Sequence, residues 1–248
     1  MKISIITPSF NHAKYIEDTI LSVMKQDYQN YEHLVIDGGS KDGTIDILKK
    51  YPHLRWISEK DDGQSNAINK GFRMSTGDII AWINSDDYYE NNIFSDIVDF
   101  FKNNKECYFL YGDITFVDVN KNTLCINSGN NVTYKNLLTN PDIVRQSSCF
   151  WKREILDDIG YLDESLHLIM DYDYFLRIGK KFNLYYFSKN LSYFRYHNEG
   201  KTSIFLRRQL WEFIKLMGRN SSLLNYRFCK FLFLKYSPVL KNKLRAIK

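Results

Sequence analysis

The sequence predicts an α/β protein with a Rossmann-like, mostly parallel central sheet flanked by helices and a basic, helical C-terminal extension. Three observations lead there. Apolar, nearly continuous runs of strand length alternate with amphipathic runs of helical period, the pattern of parallel strands covered on both faces. Polar residues fall where those runs end, at Thr7, Asp37, Glu59 and Asp86, and open parallel sheets bind ligands beyond their carboxyl ends. Charge is also divided: residues 205–248 hold eleven Lys and Arg against Glu212 alone, net +10, which leaves −5 on the first 204 residues.

Taken in order, Ile3 to Thr7 reads as a strand, Ala13 to Lys25 as a helix with Ile16, Ile20 and Val23 on one face, and His33 to Asp37 as a second strand. A helix over Thr44 to Lys50, a strand near Leu54 to Ser58, a helix from Ser65 to Ser75 and the run Ile79 to Ile83 continue the alternation, and a helix starts near Asn91. Beyond residue 105 the periodicity weakens. Short strands at Tyr108 to Tyr111 and Thr115 to Val117 precede a loop-rich stretch, Asn120 to Thr133, then a helix and the run Ser147 to Trp151. With no repeat and no Pro/Gly/Ser linker, the expected division is a domain over 1–204 and an extension over 205–248. In the extension Leu206, Leu210, Phe213, Ile214 and Met217 form an apolar stripe about 100° wide, with Arg207, Arg208, Lys215 and Arg219 outside it.

A chain of 248 residues with 44% hydrophobic and 25% charged residues buries a core without disulfides or a structural metal, and is neither collagen-like nor disordered. Cys107, Cys125, Cys149 and Cys229 stand far apart with no CxxC, so zinc and thioredoxin-type motifs are excluded and a reducing compartment is expected. The N-terminal apolar run is too short for a signal peptide, and no run reaches the ~20 residues that span a bilayer. The expected location is cytoplasmic, with the basic amphipathic extension held peripherally on the anionic inner face of the membrane, the alternative being that its stripe packs on the domain.

Three segments carry chemistry. Thr7-Pro8-Ser9-Phe10-Asn11 ends the first strand, and Asp37-Gly38-Gly39-Ser40 ends the second, where Asp37 can accept hydrogen bonds from a base or ribose. Neither is a dinucleotide fingerprint or a P-loop. Asn84-Ser85-Asp86-Asp87 follows the buried run Ile79 to Ile83, and adjacent carboxylates there make sense when a divalent cation compensates them, Mg²⁺ or Mn²⁺ by their oxygen chemistry. The third, Met170-Asp171-Tyr172-Asp173, gives an apolar helix an acidic first turn.

In this order, and together with Asp61-Asp62-Gly63-Gln64-Ser65 and Gly160-Tyr161-Leu162-Asp163-Glu164, these segments resemble the inverting glycosyltransferases of family 2, which have the GT-A fold, from about residue 2 to 203. The resemblance implies a metal-dependent hexosyltransferase. It would carry a sugar from a nucleotide-diphosphate sugar, a UDP-sugar by default, to a glycan or lipid-linked hydroxyl in cell-surface polysaccharide or glycolipid synthesis. It further implies that Asp86 and Asp87, with His197 after the last strand, hold Mn²⁺ or Mg²⁺ on the donor diphosphate. Thr7, Pro8, Ser9, Asp37, Asp62 and Ser85, with Asp86, would bind the donor. Asp171 inherits the role of general base from the family's acidic Glu-Asp pair, whose Glu is replaced here by Met170, and Asn84 stands where many relatives have the first Asp. His12, His33, His53 and His167 have no motif support and read as surface or packing residues. A nucleotidyltransferase would need a basic, Gly-rich phosphate loop after the first strand, which Phe10-Asn11-His12-Ala13 is not. A nucleic-acid-binding module rests on the tail alone and is opposed by the acidic body.

Overall fold

The computed structural model describes residues 1–197 and 206–245, with the side chains of Leu206, Tyr226 and residues 237–245 left aside. The division at 204/205 and the end of the Phe194 to Asn198 segment lie outside the described residues.

The chain opens with β1 (Ile3–Ser9), α1 (Ile16–Met24), β2 (Tyr31–Asp37), α2 (Thr44–Leu48), β3 (Arg55–Ser58), α3 (Gln64–Met74) and β4 (Ile79–Trp82). These strands pair in parallel in the order β3-β2-β1-β4, as buried apolar runs joined by helical crossovers require. After β5 (Tyr88–Tyr89) and α4 (Phe94–Asn103) come β6 (Phe109–Val117), β7 (Thr123–Asn127), α5 (Tyr134–Leu137), β8 (Cys149–Lys152), α6 (Glu154–Ile159), α7 (Met170–Lys181) and β9 (Leu184–Arg195). The extension supplies α8 (Leu206–Arg219) and α9 (Tyr226–Arg245). Among the described residues the sheet has nine strands, in the order β3-β2-β1-β4-β8-β6-β9-β5 with β7 on β6. Only β5, β7 and β8 run against the others, so the sheet is mostly parallel.

Period-2 alternation sends Ile6, Ile80 and Trp82 into a core under α3 and α7, and Ile3, Ile5, Ile79, Ala81 and Ile83 into one under α4. Two strand expectations change. Phe109 to Val117 is one strand rather than two, because β9 pairs along its whole length through a bulge near Gly112, where a Cβ would meet Leu191 Cδ1 at 2.6 Å. The stretch from Asn120 to Thr133 also contains β7, whose mostly exposed residues carry no alternation to betray it.

The extension departs most from expectation. Its stripe covers the domain rather than lipid: Phe213 and Leu216 are buried in the core that holds Tyr172, as are Leu223, Phe228, Leu232 and Tyr236, while Leu210 and Met217 pack against that core. The Tyr172 ring lies 5.8 Å from that of Phe213 and stacks on Phe228 at 6.1 Å. Of the stripe, Ile214 stays exposed. Glu212, the one acid of the basic tail, is buried, and its carboxylate accepts the N–H groups of His167 (3.1 Å) and Leu168 (2.9 Å) in the loop that enters α7. Arg219 reaches Asp163 at 2.6 Å and Lys235 reaches Asp142 at 3.2 Å. The extension therefore pins both loops beside the cavity described next.

Candidate active site

A cavity of about 710 Å³ opens at the carboxyl ends of β1 and β4, walled by the starts of α3 and α7, the end of β9 and the two C-terminal helices. Its position follows from topology: β1 and β4 are neighbours in register, Ile6 beside Trp82, so Pro8 to His12 and Asn84 to Asp87 leave the sheet side by side.

Asp86 and His197 meet on this wall. His197 Nε2 lies 3.0 Å from Asp86 Oδ2, and the imidazole is 7% exposed and packed on Tyr15. Burial alone would raise the Asp86 carboxyl, but the His197 hydrogen bond and the charges of His12 and His197 outweigh it and hold the group below its usual range, hence ionised. His197 Nε2 and Asp86 Oδ2 face each other, so a cation held by both would take the place of their hydrogen bond, while His197 Nδ1 is buried with no partner among the described residues. Among the described residues no three His, Cys, Asp or Glu side chains converge as a complete metal cage. A carboxylate, an imidazole and open space nonetheless suit Mg²⁺ or Mn²⁺, which keeps waters and takes its remaining oxygens from phosphates. The residues fit the group.

Asp87 leaves this set. Its Oδ1 accepts the Arg195 N–H (3.0 Å), its Oδ2 accepts from Asn84 Nδ2 (3.3 Å), and burial together with the neighbouring Asp86 pushes its carboxyl well up. Oδ1 ties the β4 end to β9 and Oδ2 is held by Asn84 within its own segment, so of the adjacent pair Asp86 is the one with an oxygen free of such ties. Asn84 has a physical reason here: its amide donates to Asp87 while its Oδ1 accepts from Gln64 Nε2 (2.7 Å), and an aspartate could not donate.

Of the expected donor-binding residues, Pro8, Ser9, Ser85 and Asp86 line the cavity, and Ser9 Oγ is buried with no partner among the described residues. Three do not. Thr7 is fully buried with Oγ1 2.9 Å from His33 Nε2. Asp37 is likewise fully buried, and its carboxylate is saturated by the N–H groups of Gly39 and Ser40 and the hydroxyls of Ser40 and Ser58, so it shapes the loop after β2 rather than meeting a ligand. Asp62 is exposed and off the cavity, while Asp61 lines it, one residue earlier. Asp61 Oδ1 accepts the Gly63 N–H at 2.8 Å, and a Cβ on Gly38 would sit 2.7 Å from Asp61 Oδ2, so a larger residue there would displace the Asp61 carboxylate.

Asp171 and Asp173 part company in the first turn of α7. Asp173 Oδ2 accepts from Arg177 Nε at 2.9 Å, and Arg177 is itself anchored on the Ile159 and Tyr161 carbonyls. Asp171 lines the cavity, and burial raises its carboxyl, with the Asp142 charge adding to the rise and Arg145 opposing it. A carboxylate of raised basicity facing a cavity is suited to take a proton.

Several wall residues carried no usable signal in the sequence. His12, read as surface or packing, lines the cavity with Nδ1 2.6 Å from Ser85 Oγ. His167, assigned the same way, also lines it. Asp142, Arg145, Gln209 and Lys235 come from a loop and from the extension, which no local pattern ties to β4.

Comparisons with known proteins bear on the family and the fold. The model of the family described as "Glycosyl transferase family 2" matches residues 4–160. The chain is 28% identical over 184 residues to a chondroitin synthase of Escherichia coli, covering 72% of this chain and 26% of that protein. It spans about a third of the length of the first curated relatives it matches. Among solved structures it superposes on S. aureus TarS 1–349 in complex with UDP-GlcNAc, with TM-score 0.68 and 21% identity, over 88% of this chain and 67% of that one. It also superposes on the mannosyltransferase PcManGT from Pyrobaculum calidifontis in complex with GDP-Man and Mn²⁺, with TM-score 0.67 and 17% identity, over 94% and 69%.

Proposed function

The chain belongs to glycosyl transferase family 2, and on that footing we propose that this GT-A glycosyltransferase is a metal-dependent, inverting hexosyltransferase using a UDP-sugar donor. The acceptor is a hydroxyl of a glycan or lipid-linked glycan at the cell surface. The observation that carries the reading is one cavity holding an ionised Asp86 that faces the His197 imidazole at 3.0 Å and, on its α7 wall, a carboxyl of raised basicity, Asp171. Asp86 and His197 would hold Mn²⁺ or Mg²⁺, which supplies charge stabilisation to the leaving diphosphate. Pro8, Ser9, Phe10 and Asp61 line the side available to the nucleoside, and Ser9 Oγ and the His12 ring offer polar groups to the donor. Asp171 takes the proton of the attacking hydroxyl. The proposed division is a catalytic domain over 1–204 closed by an extension over 205–248.

A thermal-shift panel of UDP, GDP, dTDP and CMP with and without Mn²⁺ tests the donor class. UDP with Mn²⁺ is expected to raise Tm by several degrees, since saturation at 100 times Kd adds about 2.7 kcal/mol. No shift with any nucleotide, or shifts indifferent to Mn²⁺, would reject the reading.

Among the described residues no helix is long and apolar enough to cross a membrane. Peripheral contact with the anionic inner face of the membrane is part of the proposal, supported by a different surface from the buried stripe. Trp211, Ile214, Phe233 and Leu234 are exposed, with Arg207, Lys215 and Lys230 exposed in the same helices. Trp211→Gln with Phe233→Gln is expected to weaken pelleting with phosphatidylglycerol vesicles, which should also fall with salt. Equal pelleting of variant and parent would remove the membrane from the account. Deleting the extension is not an equivalent test, because it would strip the core of Phe213, Phe228 and Tyr236.

A further inference from the structure

One part of the cavity wall gathers cationic and amide hydrogen-bond donors around a single aspartate. Asp142 is shared by two cations: Arg145 Nη1 lies 3.3 Å from its Oδ1 and Lys235 Nζ lies 3.2 Å from its Oδ2. Arg145 sits over the Phe116 ring, 5.6 Å from its centroid, and its Nε is buried with no partner among the described residues. Beside them Gln209 accepts the Tyr236 hydroxyl on Oε1 at 2.5 Å, which leaves its amide NH₂ as a donor on the cavity wall. Two cations and an amide donor thus gather around Asp142, with the Asp171 carboxylate nearby, and the Arg145 Nε–H and the Gln209 amide have no acceptor among the described residues.

We propose that Arg145, Gln209 and Lys235 bind a negatively charged group, a carboxylate or a phosphate, carried by the acceptor. The proposal rests on the transferase reading above. Asp142 then acts as the internal counter-ion that holds both cations in place when the site is empty of acceptor. The location fits an acceptor group, because Asp142, Arg145 and Lys235 line the same cavity as Asp171, and the charges of Asp142 and Arg145 reach its carboxyl. An arginine fork and a lysine recognise carboxylate and phosphate oxygens by charge-assisted hydrogen bonds, which neutral hydroxyls do not match. Lys235 and Gln209 belong to α9 and α8, so the C-terminal extension contributes specificity as well as packing.

The test uses the full chain with Mg²⁺, with and without UDP, and three probes followed by saturation-transfer NMR: methyl β-D-glucuronide, methyl β-D-glucoside and sn-glycerol 3-phosphate. At least one anionic probe is expected to bind about tenfold more tightly than the neutral glucoside, and which one does so separates a uronate acceptor from a phosphate acceptor. Lys235→Met should abolish most of that preference, Lys235→Arg should keep it, and UDP affinity should be unchanged in both. Equal binding of charged and neutral probes, or none by any, would overturn the proposal, as would a preference that survives Lys235→Met. Failure of UDP to bind would count against the transferase reading alone, since the probe preference is also read without it.

Discussion

Asp171→Asn is expected to lower kcat by about 10²- to 10⁴-fold while changing nucleotide affinity by less than about twofold. The substitution keeps the shape of the side chain and an oxygen that can accept the Tyr172 N–H, now 2.9 Å from Oδ1, but it cannot take a proton. Asp173→Asn should instead cost stability, because it weakens the partner of a well-anchored Arg177, and should leave kcat within about a few-fold of the parent. The pH profile gives an independent reading. Burial raises the Asp171 carboxyl, and a base works only when deprotonated, so kcat should fall as pH drops through a value above the ordinary carboxylate range. In Asp171→Asn that acidic limb should vanish from the residual rate. Near-normal turnover in Asp171→Asn with loss in Asp173→Asn would place the base two residues away.

Asp86→Ala is expected to abolish the Mn²⁺-dependent part of UDP binding and reduce turnover by at least about 10²-fold. It removes the one carboxylate of the Asn84 to Asp87 segment whose oxygens are not both tied within the protein, and it frees His197 from the partner that orients its ring. Asp87→Asn should behave differently. Its carboxyl is pushed well up and serves to join the β4 end to Arg195, so the variant should lose thermal stability more than metal response. If Asp87→Asn loses the Mn²⁺ response while Asp86→Ala keeps it, the ligand assignment is reversed.

The sheet was largely legible because its signal is local. Runs such as Ile79 to Ile83 are apolar on both faces, and the βα alternation leaves few topologies for them. The site was legible in outline because strand ends converge whatever the details. Its particulars depended on partners remote in the chain. Asp37 sits at a strand end like a ligand residue, yet Ser58, twenty-one residues on, and the turn at Gly39 and Ser40 consume its oxygens. Asp61 and Asp62 are indistinguishable by type, and only the turn onto Gly63 decides which faces inward. In the tail, periodicity correctly marks an apolar stripe but cannot tell whether lipid or the rest of the chain covers it. The pairing of buried Glu212 with the loop before α7 decides for the chain.

The central claim is metal-dependent transfer with inversion at the Asp86, His197 and Asp171 cavity. It is tested most directly by real-time ¹H NMR of UDP-N-acetyl-α-glucosamine, or the UDP-hexose the protein turns over, with water as the acceptor. Attack by water under Asp171 on the face opposite the diphosphate predicts that the β-hemiacetal appears first, before mutarotation, and that chelation of the metal stops its formation. First appearance of the α-anomer, or release of sugar that continues unchanged in the chelator, would contradict the account.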